Sequence, residues 1–327
     1  MQSYADTNQH YVSQFMLRGF HTGSEAQIWV FDKLTGRSYT DAIRKVAAEY
    51  GFYNIAGSPE IDGRIRKVEE ATAPIIEEIR TRKTLRGLDE HKRIWVSGFT
   101  ALQLVRTKGY SERSQDMMRQ ITHVVKQVSD GKLSKEIREQ LGLDAPGSPH
   151  EKTMATILNL ARTAVDELLK KMLVLFRSDG SVPFWIGDNP VVLDNTINPG
   201  DRLRSNLGLG VPGIEVYLPI SSELVLAHMC PSIATVSAAM GEEARRMGFI
   251  DARAHSYLQA LMNSSPILVG KDDIENLNRL ELVYAERWVY SSTNNFENAR
   301  EILEENPRFR TGPRYDSPQK KSPTSSQ

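Results

Sequence analysis

The sequence predicts an α+β, mainly helical protein: a helical core with an N-terminal hairpin and a small antiparallel sheet in the C-terminal half. Three observations carry that expectation. Between residues 64 and 176, apolar residues recur at three- and four-residue steps, the spacing of one face of a helix. Near the N-terminus, short β-favouring runs flank "KLTGR". From residue 181 the composition shifts to Val, Ile and aromatic residues broken by Pro and Gly, which is the composition of strands and sharp turns.

In chain order, "QIWVFDKLTGRSYT" reads as the hairpin, with Gly36 free to take the positive φ of a tight turn. Residues 64–83 form an amphipathic helix. Ile65, Val68, Thr72, Ile75, Ile76 and Ile79 share one face, and Pro74 lies inside it. Residues 88–108 form a helix that is apolar nearly all round and therefore central, closed by Gly109. Further helices are expected at 112–128, 134–141 and 152–176. Strands are expected within "VPFWIGDNPVVLD" and "GIEVYLPISSELVLAHM", joined by a loop over 194–213. Helices return at 232–247, 251–263 and 272–285, and "RWVYSS" is a late strand. No internal repeat is present.

A chain of 327 residues with 40% hydrophobic and 25% charged content can bury a sizeable core. It reads as one domain over 1–305, with a helical lobe to 176 and a mixed lobe from 177. Residues 306–327 hold four prolines, five basic residues and no apolar periodicity, so a disordered tail is expected there. The net charge is zero, so a nucleic acid or nucleotide partner would need a local basic patch. The single cysteine, Cys230, allows no internal disulfide and fits a reducing compartment. No secretory signal and no apolar run of membrane-spanning length is visible, which points to a cytoplasmic protein without a membrane partner.

Phosphate-loop, nucleophile-elbow, zinc-protease and dinucleotide motifs are absent. What stands out is a set of polar residues where packing alone would place apolar ones. His10 and Gln14 sit four apart in "HYVSQFMLRGF"; on a helix they would share a face, and their apolar neighbours turn them inward toward Arg106 or Gln103. Gln103 and Arg106 lie three apart on the apolar helix. A buried guanidinium there needs a carboxylate or a ligand, and Glu69 is one partner within the pattern. Asp188 and Asn189 precede Pro190, a corner that projects the carboxylate from a rigid edge or uses it to accept backbone N–H groups. Asn278 caps, braces or contacts a ligand.

The segments "HYVSQFMLRGF", "AAEYGFYN", "VEEATAPIIEEI", "FTALQLVRT", "WIGDNPVVL", "VYLPISSELVL" and "LNRLELVYAERWVYSS" follow one another in an order and spacing that resemble the bacterial domain of unknown function 4238 family. The resemblance covers roughly residues 9–292. It implies that His10, Gln14, Glu69, Gln103, Arg106, Asp188 and Asn278 occupy the family's characteristic polar positions. Ser13 stands where the family often has proline, and Gly187 where it commonly has Ser or Thr. The family brings no established reaction.

From the residues, the leading reading is a hydrolase of a phosphodiester or nucleotide. His10 would be its general acid/base, with Asp188 and Glu69 as orienting carboxylates or ligands of a divalent ion such as Mg²⁺. Arg106 would hold the anionic group, and Gln14, Gln103, Asn189 and Asn278 would position it. The alternative is a non-catalytic module that senses a small anionic ligand or engages a protein, such as the partner of a toxin or of a defence system.

Overall fold

The computed structural model of the protein describes residues 8–23, 26–53, 60–128, 135, 149–197, 207–248 and 252–314. The chain opens with strand β1 (Asn8–His10), the short helix α1 (Gln14–Leu17) and a 3-10 turn over Arg18–Phe20. The hairpin β2 (Gln27–Asp32) and β3 (Arg37–Ala42) follows, with Gly36 at φ 70° in its turn, and then β4 (Ala48–Tyr50), which pairs antiparallel with β1. Helices α2 (Glu60–Arg82), α3 (Glu90–Val105), α4 (Lys108–Val128) and α5 (Pro149–Leu169) come next.

The C-terminal half contains β5 (Met172–Ser178), β6 (Ile186–Gly187), β7 (Val192–Asp194), β8 (Glu215–Ser221) and β9 (Leu224–Met229). It continues through α6 (Pro231–Arg246), α7 (Ala252–Asn263), β10 (Ile267–Val269), α8 (Lys271–Tyr284), β11 (Trp288–Ser291) and α9 (Glu297–Glu305). The fold is α+β and helix predominates. The expectation of a lone hairpin and one small C-terminal sheet is nevertheless wrong, because the strands form three sheets of two, five and four members: β1-β4, β10-β5-β9-β8-β7 and β3-β2-β11-β6.

The physical reasons lie in pairings that local patterns do not encode. "MLVLF" was expected to end the helix over 152–176, but a short continuous apolar run reads equally as a buried strand. It forms β5, which pairs antiparallel with β9 and parallel with β10. The N-terminal hairpin does not stand alone. β11, more than two hundred residues later, pairs along β2, and β6 adds to its other side. A second correction concerns the helix expected over 88–108. It ends at Val105, and Gly109 lies inside α4 instead of stopping α3.

One main core is built from Val12, Met16, Leu17, Phe20, Ile76, Val96, Phe99, Leu102 and the inward residues of β5, β8 and β9. A second, smaller core gathers Phe31, Trp185, Leu282, Val289 and Phe296 under the four-stranded sheet. α3 carries the almost wholly buried segment Val96–Leu102 and packs between α2 and α5. Its N-terminus is capped by Asp89, which accepts from Lys92 N at 2.8 Å.

Of the segment 306–327, residues 306–314 are described. Pro307–Arg310 is a 3-10 turn, Arg310 donates to the carbonyl of Lys33 at 3.1 Å, and Arg314 pairs with Glu286. The helix expected at 134–141 lies outside the described residues apart from residue 135, as do residues 198–206 of the loop expected over 194–213.

Candidate functional site

Two polar centres are built around the junction between α3 and α4. Arg106 and Thr107 occupy the break, both completely buried, and their side chains enter different centres.

In the first centre Arg106 is held on several sides. Its Nε and Nη2 donate to Gln103 Oε1 at 3.0 and 2.8 Å, and Nη2 also reaches Glu69 Oε1 at 2.8 Å and the Ser13 hydroxyl. Ser13 in turn donates to Glu69 Oε1 at 2.6 Å, and Gln103 Nε2 donates to the carbonyl of Tyr11 at 2.7 Å. Thus the α3 C-terminus, α2 and the N-terminal segment are tied by one cation and one carboxylate. Burial disfavours the Arg106 charge, but Tyr53 and Glu69 outweigh it and raise the guanidinium above its ordinary pKa. Its Nη1 is buried without a well-formed hydrogen bond, and the Tyr53 hydroxyl, which donates to His10 O at 3.2 Å, is among its neighbours.

His10 lies at the edge of this centre and is half-buried. Its Nε2 approaches Ile43 O at 3.4 Å, which makes Nε2 the protonated nitrogen, and Nδ1 makes no hydrogen bond among the described residues. Burial pushes its pKa down. Ile43 O and Glu69 oppose that, while Arg106 and Arg18 reinforce it, so the ring is uncharged at neutral pH. Gln14 is half-buried beside exposed Arg18, and the Glu69 side chain keeps 27% of its surface.

The second centre surrounds Asp188, which is almost completely buried. Oδ1 accepts from the backbone N–H of Glu286 at 2.6 Å, and Oδ2 accepts from those of Arg287 and Trp288 at 2.9 and 3.0 Å. Burial pushes its carboxyl up to about 6 against those hydrogen bonds and the charge of Lys33. Lys33 has no exposed surface; it donates to Ala285 O at 2.5 Å, and burial pushes it down to about 8. Asn189 lies between Thr107 Oγ1 at 2.5 Å and the Arg113 guanidinium at 3.2 Å, both satisfied when its amide oxygen faces Arg113. Asn278 accepts from Trp185 N at 2.7 Å and donates to Pro183 O at 2.9 Å, which braces the chain entering β6. One turn on, Glu281 accepts from Gly187 N at 2.7 Å, and burial raises it well above the usual carboxylate range.

The structure therefore brings Glu69, Gln103 and Arg106 into one hydrogen-bonded group with His10 at its edge. Asp188, Asn189 and Asn278 bond to backbone and side chains of the other centre. His10 and Gln14 do not share a helix: His10 ends β1 and Gln14 begins α1, and the residue between them that reaches Arg106 is Ser13. Ser13, noted in the sequence only as a departure from proline, joins the first centre through its hydroxyl. Its hydroxyl stands where a proline would offer nothing to Glu69. Arg80 was missed; it donates to the carbonyls of Ile220, Phe15 and Met16 at 2.6, 2.9 and 3.1 Å and fixes the end of α1. Its position on the polar border of α2 gave no signal. Among the described residues no three His, Cys, Asp or Glu side chains gather as a metal-holding group, and no helix is long and apolar enough to cross a membrane.

Comparison with known proteins places one family model on the chain, described as a protein of unknown function (DUF4238) and matching residues 8–295. No curated protein and no solved structure matches.

Proposed function

The chain belongs to the DUF4238 family, and we propose that its first polar centre recognises a small anionic, phosphate-bearing ligand without turning it over. His10, Gln14 and Arg18 would contact the ligand, Glu69 would orient it, and Arg106 would lend charge from below. One observation carries this reading. Both oxygens of Asp188 are taken by backbone N–H groups, whereas His10, Gln14 and Glu69 keep exposed surface over a buried cation. Two guanidinium groups stand near the uncharged His10 against one carboxylate, which leaves a positive charge over for an anion. The wider expectations of a toxin or defence partner, or of a nucleic acid, have no further support in the geometry.

A second reading, hydrolysis of a phosphodiester or nucleotide, is favoured by the His10 tautomer. With Nε2–H turned to Ile43 O, Nδ1 carries the lone pair that a general base needs. Calorimetric titration with AMP and with bis(p-nitrophenyl) phosphate, followed by phosphorus NMR of the same samples, separates the two. Saturable binding that is lost in His10→Ala, with no new phosphorus signal, supports recognition. Product formation abolished by His10→Ala supports hydrolysis, and heat-free titrations with both probes contradict both readings.

A further inference from the structure

Helices α8 and α9 meet along two stripes that packing alone would make apolar. Asp272, Glu275, Asn276 and Arg279 recur at three- and four-residue steps on α8. On α9, Asn298, Ile302 and Glu305 do the same, with Asn306 at the C-terminal cap. Together they line an open cleft of about 350 Å³, and Ile302 is the one apolar residue of that lining among the described residues. The helices meet the core through other side chains: Ile274 and Leu282 of α8 and Ala299 and Leu303 of α9 are buried. The polar stripes are therefore not a by-product of the core.

The polar groups of the cleft do not satisfy one another. Among the described residues, the side chains of Asp272, Asn276, Arg279, Asn298 and Glu305 make no hydrogen bond or ion pair. Glu275 stands four residues before Arg279, the favourable order for a helical ion pair, yet it reaches Lys271 instead, at 3.7 Å. The helix dipole accounts for Asp272 in the first turn of α8. It opposes Glu305, the last residue of α9, where the helix end is already negative. Three carboxylates against one guanidinium leave two net negative charges in the lining, with a cation standing among them.

We propose that the cleft between α8 and α9 binds a free dibasic α-amino acid, at a site separate from both polar centres. Such a ligand carries two cationic groups and one carboxylate. Its α-ammonium and side-chain cation meet the carboxylates of Asp272, Glu275 and Glu305, and its carboxylate pairs with the Arg279 guanidinium. The carboxamides of Asn276, Asn298 and Asn306 both donate and accept, and Ile302 lies against the ligand's methylene groups. The size agrees. Small-molecule sites begin at about 300 Å³, so a cleft at the low end suits a ligand of roughly ten heavy atoms. A polyamine would match the carboxylates but set a cation against Arg279, and a phosphate ester would face the excess of negative charge.

The test is calorimetric titration of the full chain with L-arginine and L-lysine, and with agmatine and cadaverine, the same two molecules without their carboxylates. At least one amino acid should bind saturably in the millimolar range or tighter, and several-fold more tightly than its decarboxylated counterpart. Glu305→Gln should weaken both members of that pair several-fold. Arg279→Gln should weaken the amino acid several-fold without weakening the amine, a split that a general loss of folding would not produce. Arg279 and Glu305 are exposed, so both variants should keep the parent's circular dichroism. No saturable heat from either amino acid at millimolar concentration, an amine that binds the parent as tightly as its amino acid, or an amino-acid affinity unchanged in Glu305→Gln would overturn the proposal.

Discussion

Replacing Asp188 with alanine should unfold much of the stability margin instead of removing an activity. The carboxylate accepts three backbone N–H bonds of 2.6, 2.9 and 3.0 Å from residues 286–288 and faces the buried Lys33. Each N–H left unpaired in the interior costs about 1–3 kcal/mol, and an unanswered buried ammonium adds to that. Allowing for water entering the space, Asp188→Ala should cost about 3–5 kcal/mol in urea unfolding at pH 7. A pH series adds a signature. The folded carboxyl, pushed up to about 6, lies above the unfolded value of 3.8, so its contribution is fully present below pH 3.8 and is lost as pH rises through 6. The difference corresponds to roughly 3 kcal/mol. Parent stability should therefore carry a falling component between about pH 4 and 7 that is missing from Asp188→Asn. An Asp188→Ala chain within 1 kcal/mol of the parent, with loss of ligand binding only, would refute this reasoning and return Asp188 to a site role.

Two further perturbations follow from close contacts. Ser13→Ala should cost about 1.5–3 kcal/mol, because it removes the hydroxyl between Glu69 and Arg106. Ser13→Pro should cost less, since φ of −58° already suits proline; urea melts of the two variants decide the order. Gly19→Ala should cost more than about 3 kcal/mol, because its Cβ would lie 2.3 Å from Ile220 O and 2.7 Å from Arg80; an unchanged thermal midpoint would contradict the packing. Truncation before Pro307 removes Arg310 from the carbonyls of Lys33 and Leu34 and Arg314 from Glu286, so calorimetry should show a midpoint lowered by several degrees.

How much of this was legible depends on the range of the interaction. The hairpin, the amphipathic α2 and the buried α3 are written in local periodicity, and Gly36 marks its turn. Strand β5 was hidden because "MLVLF" carries no period that separates a buried strand from a helix, and the pairing of β11 with β2 is a contact between segments more than two hundred residues apart. The need of Arg106 for a carboxylate was legible from an arginine on an apolar helix, and Glu69 answers it. The Asp188 corner could be read as a projecting carboxylate or as a backbone acceptor, and its geometry follows the second. Lys33 and Glu281 gave no signal, because a lysine beside a turn and a glutamate on a helix read as solvated until tertiary packing encloses them.

The most direct measurement of the central claim follows the His10 ring by NMR during titration with AMP. Recognition at the first polar centre predicts that the His10 carbon-bound ring protons shift saturably, that Arg18→Ala weakens the response, and that His228, buried against Ser97, stays still. Ring signals of His10 that do not move at millimolar AMP, or that move only together with those of His228, would contradict it and leave Arg106, Glu69 and Ser13 as a lock that holds the N-terminal segment to the helical core.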